Sequence, residues 1–374
     1  MIRPWLDDAE ADAAGEVIRS GWVAQGPKVA EFEAEFAMAM ASGHGVALSS
    51  CTTALHLALH LLGVGPGDEV VVPSLSFIAT ANAVRHAGAI PVFADVDPST
   101  GDVTAATVDA VLTPHTVAVI AVHQGGVPFD ADALDVLCAR RGLALVHDAA
   151  GAAGATYRGR PVGAGADLVG WSFHPRKLLT TGEGGMLTTS SAEWAARARR
   201  LREHGMNVSA ADRHRSDTVL LESYEEVGFN YRMTDIQAAV GLVQLARLPE
   251  LVARRRELAE RYHKLLTDLD GVRPVADPDY GTTNYQSFWV VLPDDYRGTQ
   301  LDVLAGLRRR GVSARRGVMA AHLEPAYAGT PAELPVTEHL TRRSVILPLF
   351  HQMTEGEQDT VVTALAETLR EGGR

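Results

Sequence analysis

Five short apolar runs order the first 150 residues: "GVALSS" (45–50), "EVVVP" (69–73), "IPVFAD" (90–95), "VAVIAV" (117–122) and "LALVHD" (143–148). None alternates between apolar and polar residues. A strand with one wet face alternates, whereas a strand apolar throughout must be covered on both faces. Between the runs lie "TALHLALHLLG", "IATANAVRHAG", a stretch near 104–112 and "DADALDVLCARRG", each with the length and periodicity of a helix. This order predicts an α/β fold built on a parallel sheet with helices on both faces. Short β-type runs, "DLVGWSF" and "GGMLTT", follow to about residue 190. A long helical stretch then runs from "MTDIQAAVGLVQLARL" to "ELAERYHKLLTDL", and the remaining residues alternate again. We expect a large α/β domain over 1–245 and a smaller α/β domain over 246–374, with the N-terminal segment able to pack on the smaller one.

Bulk properties narrow the function. The net charge is −12, so wholesale binding of nucleic acid is not expected, although local donors can still hold an anion. The N-terminus "MIRPWLDDAEADAAGEVI" lacks the basic patch and apolar run of a signal peptide, and "VAVIAV" is too short to span a bilayer. Two cysteines, Cys51 and Cys138, form neither a disulfide framework nor a C-x-x-C pair. These features point to a cytoplasmic protein without membrane segments. No spacing suits a metal.

Ligands of an open parallel sheet bind at the carboxyl ends of its strands, and three segments lie there. "SSCTTAL" (49–55) joins a strand to a helix through small hydroxyl residues. Free N–H groups and the positive end of the dipole make such a start a phosphate cradle; plain capping by Thr52 or Thr53 explains the same residues. In "HDAAGAAGA" (147–155), Asp148 ends a strand, either as a cap or as partner to a ligand cation. In "SFHPRKLLTTGEGGM" (172–186), Lys177 stands between a β-type run and a glycine turn. An amine, a strand-end carboxylate and an anion cradle together suit pyridoxal 5′-phosphate (PLP). An aromatic residue over its ring completes the set, and Phe77 could serve there or pack in the core.

With "GWVAQGPKVAEFEAEFA", "VVVPSLSFIATANAV", "GFNYRMTDIQAAVG" and "LPLFHQMT", these segments make the chain resemble the DegT/StrS family of PLP-dependent sugar aminotransferases, over nearly its whole length. The resemblance implies fold type I, with a mainly parallel seven-stranded sheet. It implies that Lys177 bonds the cofactor's aldehyde carbon, that Ser172, Thr52 and Thr53 hold the phosphate, that Asp148 faces the pyridine nitrogen and that Phe77 covers the ring. It implies a homodimer with shared active sites, in which Asn230 reaches the neighbour's phosphate; Arg232 would help there, bind a carboxylate or form a structural ion pair. Glutamate or glutamine would be the amino donor and a nucleotide-linked 4-keto or 3-keto 6-deoxyhexose the acceptor, with Arg315, Arg316 and His322 as cations for the nucleotide.

Two positions depart from the family pattern. Gly151 stands where a polar residue often contacts the cofactor's phenolic oxygen, and His147 stands where glutamate is common. His123 and His174 read as structural. The alternatives are an aminotransferase or dehydratase acting on an aminocyclitol or other cyclic ketone, and a non-catalytic PLP-binding regulator. Sugar dehydratases of the family replace the lysine with histidine, so Lys177 argues against that chemistry.

Overall fold

A computed structural model describes residues 4–208, 217–330 and 332–372. The five apolar runs become β1 (His44–Leu48), β2 (Glu69–Pro73), β3 (Ile90–Ala94), β4 (Thr116–Val122) and β5 (Ala144–Asp148). Two short strands, β6 (Thr156–Tyr157) and β7 (Arg160–Pro161), precede β8 (Leu168–Ser172) and β9 (Gly185–Thr189). The seven longer strands form one sheet in the order β1-β9-β8-β5-β4-β2-β3. Only β9 runs against its neighbours. It follows β8 with no crossover helix between them, and a direct return of this kind makes an antiparallel pair.

Helices α1 (Asp8–Ser20), α2 (Pro27–Ala39), α3 (Cys51–Leu61), α4 (Ala79–His86), α5 (Ala105–Asp109), α6 (Ala131–Arg141) and α7 (Ala192–Leu201) complete the first half. The all-round apolar character of α3 is matched by burial of Leu55, Leu57, Leu59 and Leu61. On the other face of β1, β8 and β9, Phe32, Phe36, Trp171 and Phe173 pack edge to face with centroids 5.2–5.9 Å apart. Burying each such ring contributes about 1.5–3 kcal/mol.

A 32-residue helix, α8 (Asp235–Leu266), follows. The expected boundary at 245/246 falls inside it, because the helical pattern continues through Pro249. That proline only removes the donor opposite the Leu245 carbonyl. Among the described residues α8 alone is long and apolar enough to cross a membrane; in the fold it packs against α1 and α2. Beyond it, β10 (Arg273–Pro274), β11 (Gly281–Thr282), β12 (Phe288–Val291), β13 (Arg315–Arg316) and β14 (Ser344–Leu347) alternate with α9 (Gln300–Arg309), α10 (Pro335–Arg343) and α11 (Glu355–Gly372). Four of these strands make an antiparallel sheet, β10-β12-β14-β13, while β11 pairs with β6 of the first half. The halves share a core that runs from Val71, Val119 and Phe129 to Tyr262, Phe288, Val345 and Leu365. The N-terminal segment also reaches the second half, where Trp5 stacks on His351 at 4.0 Å.

Candidate active site

The carboxyl ends of β1, β5 and β8 meet at one edge of the large sheet. Ser50 follows β1 with extended backbone and caps α3: its Oγ accepts from Thr53 N at 3.2 Å, and Thr53 Oγ1 accepts from Ser50 N at 3.1 Å. The cap is therefore Ser50, with Thr53 as its third-position partner, and neither threonine of the predicted capping pair fills that place. The Thr53 hydroxyl also donates to Ser50 O, whereas the Thr52 hydroxyl makes no hydrogen bond among the described residues. Gly185 lies opposite Leu48 on one side and Ser172 on the other. A Cβ there would fall 2.3 Å from the Ser50 carbonyl carbon and 2.5 Å from Cys51 N, so only glycine lets β9 pass this close to the start of α3. Exposed N–H groups, Thr52 and the half-buried Ser172 thus converge on one concavity.

Asp148 forms its inner wall. One carboxylate oxygen accepts from Thr80 Oγ1 at 2.8 Å, and the other accepts from Ala150 N at 3.1 Å with the Cys51 thiol at 3.8 Å. Burial raises the pKa of Asp148, and these donors together with the charge of Lys177 oppose that rise. Burial also drives the Lys177 amine below its ordinary value; the charge of Asp148 holds it up, and Arg315 and Arg176 press it further down. Part of the Lys177 side chain is open to solvent, so the depression reflects the setting of its amine rather than of the whole residue. Burial pushes the Cys51 thiol well up, which leaves it a neutral neighbour rather than a nucleophile. Next to Asp148, His147 is buried with a pKa lowered to about 4, and His123 stacks on Phe129 at 4.1 Å. Both histidines are uncharged packing residues at neutral pH.

Phe77 is 69% exposed and so is not a core residue. It stands one turn before Thr80, whose N–H donates to the Phe77 carbonyl at 3.2 Å. Gly151 borders Gln286, whose Cγ would lie 3.2 Å from a Cβ at that position. Asn230 is exposed, and its neighbour Tyr231 accepts a hydrogen bond from Ser49 N at 2.8 Å through its carbonyl, which brings Asn230 and Arg232 to the edge of the cradle.

Of the expected substrate residues, Arg316 is exposed and pairs with Glu324 at 3.4 Å. His322 is buried, with Nδ1 2.6 Å from Ser74 Oγ and Nε2 3.6 Å from Glu338, so it ties the end of β2 to the 321–323 turn. Arg315, seven positions earlier, does face open space. With Arg176, Gln286 and Phe288 it lines a cleft of about 190 Å³ beside the lysine turn. Among the described residues no group of histidine, cysteine and carboxylate side chains has the arrangement of a metal site.

The model of the DegT/DnrJ/EryC1/StrS aminotransferase family matches residues 4–366. The chain belongs to this family. Its relatives among solved structures include the aminotransferase TlmJ from Streptoalloteichus hindustanus, at 39% identity and a TM-score of 0.91, covering 99% of this chain and 98% of that one. DesV of S. venezuelae, solved in complex with a ketimine intermediate, is 35% identical with a TM-score of 0.89 and 99% coverage of both chains. Spr1654 from Streptococcus pneumoniae, assigned as a sugar aminotransferase and solved in a PLP form, is 26% identical with a TM-score of 0.91, covering 99% and 98%.

This DegT/DnrJ/EryC1/StrS aminotransferase is accordingly a PLP-dependent enzyme of fold type I. The residues present fit that cofactor: Gly185 clears a path to the helix start, Thr52 has a free hydroxyl, and the buried carboxylate of Asp148 gains most from a cationic partner. Three neighbours of the site escape the sequence reading. Thr80 lies three residues after Phe77, in the first turn of α4, and that nearness in sequence is a signal that could have found it. Cys51 is readable only as part of the cradle. Gln286, 109 positions after the lysine, carries no local signal at all.

Proposed function

We propose that this aminotransferase moves an amino group from glutamate or glutamine to a keto sugar, a nucleotide-linked 4-keto or 3-keto 6-deoxyhexose, in the formation of amino sugars. The observation that carries the reading is a lysine amine set between a buried carboxylate and two arginines whose guanidinium groups have no partner among the described residues, beside a helix-start cradle. The assignment of Spr1654 as a sugar aminotransferase supports the acceptor class. In this reading Lys177 binds PLP covalently, and Thr52, Ser172 and the N–H groups at the start of α3 hold its phosphate. The group supplies an aldehyde carbon for amines and an electron-accepting ring. Asp148 keeps the ring nitrogen protonated, and Phe77 covers the ring face. Lys177 Nζ, made readily neutral by burial and by Arg315 and Arg176, would carry the proton between the substrate's Cα and the cofactor carbon that bears the aldehyde. Arg315 and Arg176 hold the donor's carboxylate in the cleft they line.

The test is incubation with glutamate or glutamine and a panel of nucleotide keto sugars, read by mass spectrometry. Replacement of the carbonyl by an amine in at least one sugar is expected. Transfer to cyclic ketones other than sugars alone would overturn the acceptor class.

We also propose a two-fold dimer with shared sites. The segment that ends in Asn230 exposes Val219, Leu221, Tyr224 and Val227, an apolar run of the kind that a second subunit covers. Lys177→Ala and Asn230→Ala dimers should each be impaired. Co-refolded hybrids, having one doubly damaged and one intact site, should recover to roughly a quarter of wild-type activity, since half of randomly paired dimers are hybrids. No recovery in verified hybrids would place Asn230 in its own chain's site.

A further inference from the structure

Gln286 stands at a junction of three parts of the site. It is 6% exposed. Its Nε2 donates to Arg176 O, and its Oε1 accepts from Leu178 N at 3.1 Å. Those two groups flank Lys177, so one side-chain amide pairs with the backbone on both sides of the lysine, much as a neighbouring strand would. The same side chain fills the room beside Gly151, and it lines the cleft bordered by Arg176 and Arg315.

The segment that carries Gln286 is held from several directions. Gln286 N donates to Asn284 Oδ1 at 2.8 Å, and Asn284 Nδ2 donates to Gly151 O at 2.9 Å and Ala153 O at 2.8 Å. Arg255 Nη1 donates to Tyr285 O at 2.8 Å, and Ser287 N donates to Gly125 O at 3.1 Å. A Cβ on Gly126 would fall 1.9 Å from Asn284 Oδ1, so the glycines after β4 leave the passage through which the segment runs. Tyr285 keeps a left-handed φ of 49°. A non-glycine residue persists there only when its surroundings over-determine it. Gln286 is thus a rigid strut.

We propose that Gln286 is a positioning residue that sets the Lys177 backbone relative to Asp148, and that position 151 is glycine because Gln286 takes the place of a side chain there. The inference rests on Lys177 being the residue that binds the cofactor. Gly151 has an ordinary φ, so Gly151→Ala adds one methyl group that pushes on Gln286 without straining the backbone.

Gln286→Met keeps the volume and removes both hydrogen bonds. In this variant kcat should fall about a hundredfold, the scale of an ångström-sized misplacement, with the KM for glutamate little changed. Hydrogen exchange at the Leu178 amide should accelerate while the strands of the large sheet keep their protection. The pH at which the absorbance of the lysine-bound cofactor titrates should shift. Gly151→Ala should move the same three readouts in the same direction, less far, and should add nothing in a Gln286→Met background. If Gln286→Met does not fold, Gly151→Ala carries the test alone. Borohydride trapping on a lysine other than Lys177 would overturn the underlying reading. Trapping on Lys177 with unchanged exchange at Leu178 and unchanged kcat would overturn the role of Gln286 only.

Discussion

Two pairs of arginines near the large sheet are treated in opposite ways. Arg202, 5% exposed, is met by the carboxylate of Glu33 and by Ala47 O at 2.8 Å; Arg199 reaches the same glutamate at 3.2 Å and Gly45 O at 2.7 Å. Arg176 and Arg315 border the cleft beside Lys177, and neither guanidinium has a carboxylate or carbonyl partner among the described residues. Burial and the charge of Arg176 even push the Arg315 pKa down. The chain carries 46 acidic residues against 34 basic ones, so carboxylates are not scarce. A structural cation is recognised by the anion already beside it, and a ligand-binding cation by the anion it lacks.

The comparison can be broken at either end. The largest effect is expected from Glu33→Ala, which leaves Arg202 buried without its counter-ion and should cost about 3–5 kcal/mol in chemical denaturation. The glutamate KM of the folded fraction should stay put; a stable variant would mean that water or backbone can replace the glutamate. Arg315→Gln should do the reverse. Loss of a charge-assisted hydrogen bond of about 1.5–3 kcal/mol raises the KM for glutamate about ten- to a hundredfold, with the melting temperature held. A fall in stability with an unchanged KM would make Arg315 a structural residue. Arg176 has an exposed head, so Arg176→Gln should raise the same KM only a few-fold, as about 0.2–1 kcal/mol of surface pairing implies.

The smallest effect concerns Lys177 in cofactor-free protein. Its folded pKa lies below the unfolded value near 10.5, so between the two the unfolded chain holds more protons and stability rises with pH. Lys177→Met should therefore be the more stable protein at neutral pH, and its advantage should vanish as the pH passes the unfolded value. An advantage independent of pH would trace to packing instead of charge.

The parts of this molecule that were legible in the sequence are those whose cause is local. Continuous apolar runs meant covered strands, and β1 to β5 formed where those runs lie. Asp148 ends β5 and Lys177 lies in the turn after β8, each within a sequence segment of its own. The cap of α3 fell on Ser50 instead of the threonines because the capping residue must have extended backbone, and only Ser50, one step before the helix, has it. Phe77 could not be read either way, since exposure depends on what the rest of the chain leaves uncovered. The expected boundary at 245/246 lies within α8, which runs unbroken through Pro249 and packs against α1 and α2. His322 is grouped with Arg315 and Arg316 by proximity in sequence, and the sequence has no sign of its bond to Ser74. Gln286 was out of reach: a glutamine announces nothing until the fold brings Arg176 O and Leu178 N to its amide.

The place of β9 between β1 and β8 also sets an order of events in time. As the chain leaves the ribosome, the start of α3 is made early, but the glycine strand that lies against it comes only after the lysine turn. Gln286 comes later still. The entropy of closing such loops grows slowly with their length, so the wait is a matter of schedule more than of stability. A nascent chain that ends between residues 189 and 286 already owns its lysine, its aspartate and its cradle, while the backbone around that lysine is still unbraced. Until residue 286 emerges, the chain lacks the side-chain amide that pairs with Arg176 O and Leu178 N.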